Sequence, residues 1–214
     1  MKMKLNERYE SSYSFLEESF SALRTNLRFA KDAEDIRIIA VTSPGKDEGK
    51  TTITYGLAKS LAKDGQTVLL MDCNLRTPAI DKCGNYEVGR GLVNILINDV
   101  IPAEVVVPDP DHLNLDIILA GSVPPNPVEL MGSIKMKNLL ISVKAYYDYI
   151  LLDTPGICLA PDAGILSNYA DATILIVEKG RTQGEDLEKS LNRIDHLNGK
   201  MLGFVFNDIK GLDE

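Results

Sequence analysis

The sequence predicts an α/β protein in three layers, αβα, with a mostly parallel central sheet and one helix ahead of it. Two observations carry that expectation. Short runs rich in Ile, Leu and Val, at 36–42, 67–72, 113–121, 149–153, 172–177 and 202–206, lack polar alternation, as strands buried on both faces do. Between several of them stand segments with apolar residues at helical spacing, and strand alternating with helix implies crossovers above and below a parallel sheet. A chain of 214 residues suits one domain of this kind, 1–214, and buries roughly 70% of its unfolded surface.

Composition narrows the classes. With 23 Lys and Arg against 31 Asp and Glu, the net charge is −8. Nucleic-acid phosphates call for a basic surplus, so no nucleic-acid partner is expected. The three cysteines, Cys73, Cys83 and Cys158, show no C-x-x-C spacing and read as reduced thiols without a metal. No apolar run approaches the ~20 residues of a membrane span. The expectation is a cytoplasmic protein that meets a membrane only through a partner.

Taken in order, Ser14-x-x-Glu17 reads as a capping box, followed by Leu16, Phe20, Leu23, Leu27 and Ala30 at helical spacing. That predicts an amphipathic helix over about 15–31, with Glu18, Arg24 and Arg28 on a solvated face. The strand at 36–42 then runs into Ser43-Pro44-Gly45, where pairing must stop. Gly49-Lys50-Thr51-Thr52 opens the next helix, carried on by Ile53, Leu57, Ala58 and Leu61.

Strand, tight loop, GKT and helix form the setting of a phosphate-binding loop, although Pro44 stands where the usual spacing has glycine. The loop backbone at Gly45, Lys46, Asp47, Glu48 and Gly49 and the positive end of the helix are expected to cradle phosphates. Lys50 reaches the terminal phosphate oxygens, and the Thr51 hydroxyl ligates Mg²⁺. The nucleotide-binding core therefore covers about 36–207.

The strand at 67–72 delivers Asp72, with Asn74 and Arg76 just beyond, to the carboxyl edge where open parallel sheets bind ligands. A carboxylate there is a candidate to bind Mg²⁺ or orient a nucleophile. Residues 81–91 look irregular, LVNILIND reads as a short helix, and SVPPNPVEL reads as a loop. Residues 134–143 read as a helix. YILLD ends on Asp153 in the Walker B arrangement, a second carboxylate for Mg²⁺. Leu187, Leu191 and Ile194 mark a further helix, and the last strand ends at Asn207.

These segments resemble the bacterial tyrosine kinases of capsule and exopolysaccharide synthesis. The resemblance spans about 15–207 and is carried by ESFSALRTNLRFA (18–30), TSPGKDEGKTT (42–52), LLMDCNLRTP (69–78), GLVNILIND (91–99), GSVPPNPVELM (121–131) and YDYILLDTPG (147–156). It implies ATP and Mg²⁺ as ligands, held by Lys50, Thr51 and Thr52. It makes Asp72 the Walker A′ aspartate beside the attacking hydroxyl, Asp153 the Walker B aspartate, and Asn207 an adenine contact. It further implies a tyrosine-containing protein substrate, homo-oligomer assembly, and a transmembrane activator from the polysaccharide chain-length machinery.

Four positions depart from the family pattern. The first helix reads Glu18-x-x-Ser21-x-x-Arg24 where an arginine is usual in place of Ser21, which predicts weakened assembly. Asn74 replaces the second Walker A′ aspartate, Gly156 replaces a proline, and no tyrosine follows Tyr169. Phosphate is then expected on another protein or on Tyr9 and Tyr13, the other tyrosines lying mostly in core elements. Two further readings follow from these departures: an ATP-binding regulator of polysaccharide assembly that transfers little phosphate, and a partition or division-site ATPase. The second kind carries an additional lysine at the position of Gly45; here Lys46 lies one residue away.

Overall fold

The computed structural model describes residues 2–30, 36–87 and 89–208, with side chains from 15 onward. Seven strands form one sheet: β1 (Ile38–Thr42), β2 (Val68–Asp72), β3 (Val106–Pro108), β4 (Leu115–Ile118), β5 (Tyr149–Asp153), β6 (Ala172–Glu178) and β7 (Met201–Asn207). Their order is β3-β4-β2-β5-β1-β6-β7. All neighbours are parallel except β3, which runs against β4. Its link to β4, residues 109–114, is too short for a crossover, so the chain can only return antiparallel. Pro108 is tolerated because β3 is an edge strand.

Register fixes the functional edge. Val41 pairs with Asp153 across β1 and β5, and Asp72 pairs with Asp153 across β2 and β5. The carboxyl ends of the three central strands therefore lie side by side. Every residue of β1 and β2 is buried, as the unbroken apolar runs require.

Helices cover both faces. α2 (Lys50–Lys63), α1 (Lys2–Arg28) and the four-residue α3 (Ile80–Cys83) lie on one, packing Leu57, Leu61 and Ile80 against Ile39, Leu70 and Leu151. α4 (Leu92–Asn98), α5 (Pro127–Met131), α6 (Ile134–Val143) and α7 (Asp162–Tyr169) bury Leu96, Met131, Leu140 and Leu166 among the other cluster, with Ile150 and Leu152. α8 (Gly184–His196) adds Ile194 beside Ala163 and Leu175. α3 and α5 fall within stretches expected to be irregular. In α5, Pro127 occupies the first helical position, where its missing N–H is harmless.

The first helix corrects two expectations. It runs from Lys2 to Arg28, so Ser14 lies within it and does not cap it. No glycine or proline occurs before Pro44, and nothing interrupts helical backbone upstream of Ser14. Of the face expected to be solvated, Arg24 is partly buried, whereas Arg28 stays exposed. Arg24 donates to the Ser60 carbonyl at 2.8 Å, and Arg28 pairs with Asp64 at 2.9 Å, both at the carboxyl end of α2. Cations favour that end of a helix, where carbonyls lack intrahelical partners. Phe20 completes the contact by lying on Gly56, where a β-carbon would come within 2.1 Å of its ring.

This docking gives a test. Phe20→Ala removes the ring that fills the Gly56 notch, a loss of about 2 kcal/mol for a half-buried aromatic side chain. Hydrogen exchange should show about thirtyfold faster exchange in the last turns of α1, with β1 and β5 unchanged. Unaltered protection in α1 would mean that the two arginines hold it alone.

Candidate active site at the carboxyl ends of β1, β2 and β5

The loop between β1 and α2 is held in shape largely by its own side chains. Asp47 and Gly49 both have positive φ, 55° and 85°. At Gly49 a side chain is doubly disfavoured, because a β-carbon would lie 2.2 Å from the Asn207 amide nitrogen. Glu48 is buried; its carboxylate accepts from the Gly45 N–H at 2.6 Å and from the Thr182 hydroxyl at 2.5 Å. Asn207 donates to the Glu48 carbonyl at 3.1 Å, and Arg181 to the Asp47 carbonyl at 2.9 Å. Residues from the ends of β6 and β7 thus brace the loop from outside.

Lys50 begins α2 and turns back over the loop. Its ammonium donates to the Ser43 hydroxyl at 2.9 Å and to the Gly45 carbonyl at 2.8 Å. Burial pushes its pKa down, opposed by the charge of Asp153 and then Glu48. Thr51 donates to Asp153 Oδ2 at 2.7 Å. Asp153 is fully buried, and its Oδ1 has no hydrogen-bond partner among the described residues. Burial, with Asp72 adding like charge, pushes the Asp153 carboxyl up to about 7.

Asp72 sits beside it and is better satisfied. Its Oδ1 accepts from the Asn74 N–H at 3.1 Å, and its Oδ2 from Ala79 and Ile80 at 3.0 and 3.1 Å. Burial still raises it to about 6. The carboxylate therefore fixes the turn from β2 into α3 while remaining next to Asp153. Asn74 is used locally: its amide donates to the Thr77 carbonyl at 3.0 Å and its oxygen accepts from the Thr77 N–H at 3.3 Å. That is a job an aspartate could only half perform. Arg76 Nε pairs with Asp162 at 2.9 Å.

A cleft of about 730 Å³ opens beside these groups, lined among others by Lys50, Thr51, Thr52, Asn74, Arg76 and Gly156, while Asp72 and Asp153 are buried behind that lining. Of the residues singled out in the sequence, Gly45, Lys50, Thr51, Asp72 and Asp153 come together at one sheet edge. Lys46 and Asp47 are exposed at its rim, while Asn207 meets the loop's backbone. Sequence reasoning missed Ser43, Thr182, Arg181 and Asp162 as parts of the assembly. The rule that found Asp72 and Asp153 would have pointed to Arg181 and Thr182, which follow β6 at the same edge.

Comparison with known proteins decides the family. Residues 36–202 match the AAA domain family. The tyrosine-protein kinase YwqD of Bacillus subtilis (strain 168) is 34% identical over 193 residues, covering 90% of this chain and 81% of that protein. The chain belongs to the bacterial tyrosine kinases. Two solved structures share its fold. The kinase domain of Escherichia coli tyrosine kinase ETK superposes with a TM-score of 0.85 at 28% identity, covering 90% of this chain and 75% of that one. The chimerical protein CapA2B2 gives 0.83 at 28% identity, over 88% and 82% of the two chains. The fold is that of nucleotide-binding P-loop proteins, and the enzyme is a bacterial-type protein-tyrosine kinase.

The kinase's departures have structural reasons. Gly156 lies against the phosphate loop; a β-carbon there would approach the Gly45 carbonyl oxygen to 2.5 Å. The Ile157 and Cys158 N–H groups donate to the Ser43 and Pro44 carbonyls at 2.8 and 3.2 Å, so the two loops are laced together. Of the tyrosines expected mostly in core elements, Tyr146 is an exception, 78% exposed at the amino end of β5 away from the cleft. The Tyr147 hydroxyl donates to Asp116, and the Tyr169 hydroxyl to the Gly132 carbonyl. The side chains of Tyr9 and Tyr13, and residues 209–214, lie outside the described residues.

The two raised carboxyls make a prediction for the ligand-free kinase. Their folded pKa values exceed the unfolded ones, so the protons they hold favour the folded state at low pH. That contribution is present below about pH 4 and is lost as pH rises through about 6 and 7. Other carboxylates oppose the trend, since Asp171 and Asp148 are lowered by hydrogen bonds and titrate lower still. Between pH 5 and 8, urea unfolding of the ligand-free chain should lose at least about 1 kcal/mol. Rising stability over that interval would contradict the shifts.

Proposed function

We propose that this kinase holds Mg²⁺–ATP at the loop of 43–52 and passes its terminal phosphoryl group to a protein tyrosine at the cleft. The observation that carries the reading is the pairing of Thr51 with a buried Asp153 whose second oxygen has no partner among the described residues. Two hard oxygen donors side by side at a helix start fit Mg²⁺, which is bound by one or two protein oxygens plus phosphates. When bound, the ion supplies charge neutralisation on the transferred group.

The chain's own residues do the rest. The loop N–H groups and Lys50 hold the phosphates in line, and catalysis is by positioning and charge. Asp72 accepts the tyrosine proton late, as little bond formation precedes it in a loose transition state. Asn207 braces Glu48 and leaves its remaining amide capacity for adenine.

The pathway is capsule or exopolysaccharide synthesis, the setting of the kinases that the chain resembles. One domain, 1–214, acts in the cytoplasm and reaches the membrane through a transmembrane activator. No helix among the described residues is long and apolar enough to cross a membrane, which agrees with anchoring by a partner. CapA2B2 is a chimerical protein, which supports a kinase that acts together with a second polypeptide. Homo-oligomer assembly through α1 is weakened, because Arg24 and Arg28 already bind α2 and Ser21 offers no charge.

Lys50→Met tests the site. Charge-assisted hydrogen bonds are worth about 1.5–3 kcal/mol each, so ATP affinity or phosphoryl transfer should fall about tenfold or more. Circular dichroism should be unchanged. Full ATP affinity together with full tyrosine phosphorylation in this variant would refute the assignment.

A further inference from the structure

The acceptor side of the cleft has a charge pattern that nucleotide binding does not use. On a chain of net charge −8, the cleft is lined by four cations, Lys46, Lys50, Arg76 and Lys82, and one carboxylate, Asp47. Lys50 is spent on the phosphate loop. Arg76 and Lys82 stand on a different wall, the turn and short helix that follow β2.

Arg76 is held there. Its Nε donates to Asp162, whose side chain is 2% exposed, while its own remains 41% exposed. Asp162 lies in the first turn of α7, and its Oδ1 is buried without a partner among the described residues. A buried acid is costly unless it is paired, so Asp162 constrains Arg76 strongly. The two terminal nitrogens of Arg76 have no acceptor among the described residues, and they form the fork that suits a carboxylate. Lys82 is exposed and adds a second cation to the cleft lining. Pro78 and Leu159, the latter 54% exposed, also line the cleft and give it apolar surface.

We propose that the acceptor is a tyrosine flanked by acidic residues: its ring rests on Pro78 and Leu159, and the neighbouring carboxylates meet Arg76 and Lys82. Asp162 acts as the positioning residue for Arg76. The inference rests on the cleft being the kinase site proposed above. It names the substrate class by charge, not a particular protein.

The test uses the full chain loaded with Mg²⁺ and a non-hydrolysable ATP analogue, with peptides carrying Phe in place of the acceptor Tyr. Binding is then read without phosphoryl transfer. At about 0.05 M salt, a Glu-flanked peptide should bind about tenfold tighter than a Lys-flanked one, and the gap should shrink at about 0.5 M. Lys82→Glu should reverse the preference by strengthening the Lys-flanked peptide. Arg76→Gln should weaken the Glu-flanked peptide, and Asp162→Asn should do so less severely, with analogue affinity kept in all three. Equal binding of the two peptides overturns the proposal. So do variants that weaken the analogue and leave peptide preference alone, since Arg76 and Lys82 would then serve the nucleotide. Full analogue affinity together with full tyrosine phosphorylation in Lys50→Met would defeat the site assignment itself, and the inference with it.

Discussion

Asp153 carries a charge that the protein alone does not fully accommodate. It ends a strand at the centre of the sheet, is completely buried, and has Asp72 as its register partner on β2. One oxygen is satisfied by Thr51 and the other by nothing among the described residues. An ionised carboxylate without partners in such a place either takes a proton or takes a cation. Both Lys50 and Thr51, the first two residues of α2, are brought to it by the loop. The position of that loop is therefore what the rest of the fold has to secure.

It is secured from three directions. Glu48 closes the loop on Gly45 and ties it to Thr182, so the anion in the loop is itself structural. Asn207 and Arg181 hold the Glu48 and Asp47 carbonyls, which leaves the loop's shape dependent on β6 and β7. From the other side, Ile157 and Cys158 donate to Ser43 and Pro44, and Gly156 lets the two backbones approach. Arg193 of α8 in turn holds the Ile157 carbonyl at 2.7 Å. Pro44 is tolerated where a glycine is conventional: its carbonyl accepts from Cys158, and of the loop glycines Gly45 and Gly49 only Gly49 has no room for a β-carbon.

The sheet was legible in the sequence because burial on both faces leaves an apolar run that few other structures produce. The ends of β5 and β7, and the residues Lys50, Thr51, Asp72 and Asp153, follow from such runs and from the phosphate-loop spacing. What escaped was set by tertiary contact. β3 escaped because three half-exposed residues ending in Pro108 make no apolar run; once it pairs with β4, the short link allows only the antiparallel direction. Arg24 and Arg28 have the spacing of a solvated face and find acceptors only because α2 ends beside them. Asn74 is a weakened metal ligand by type, yet its amide is occupied by Thr77, a local bond that no motif signals. Asp162 follows a proline at the start of α7, where an acid is ordinary, and its importance lies in Arg76, 86 residues away.

The most direct measurement of the account is the thermal stability of Asp153→Asn beside the parent chain at pH 8, with and without Mg²⁺ and a non-hydrolysable ATP analogue. A buried charge that awaits a cation destabilises the ligand-free fold, and the neutral amide relieves it. The account predicts that the variant melts higher than the parent when both are ligand-free, and that Mg²⁺ with analogue raises the parent's melting temperature while moving the variant little. A variant that melts lower without ligand and gains as much from Mg²⁺ and analogue as the parent would show that Asp153 is an ordinary structural acid, and the site would have to be sought elsewhere.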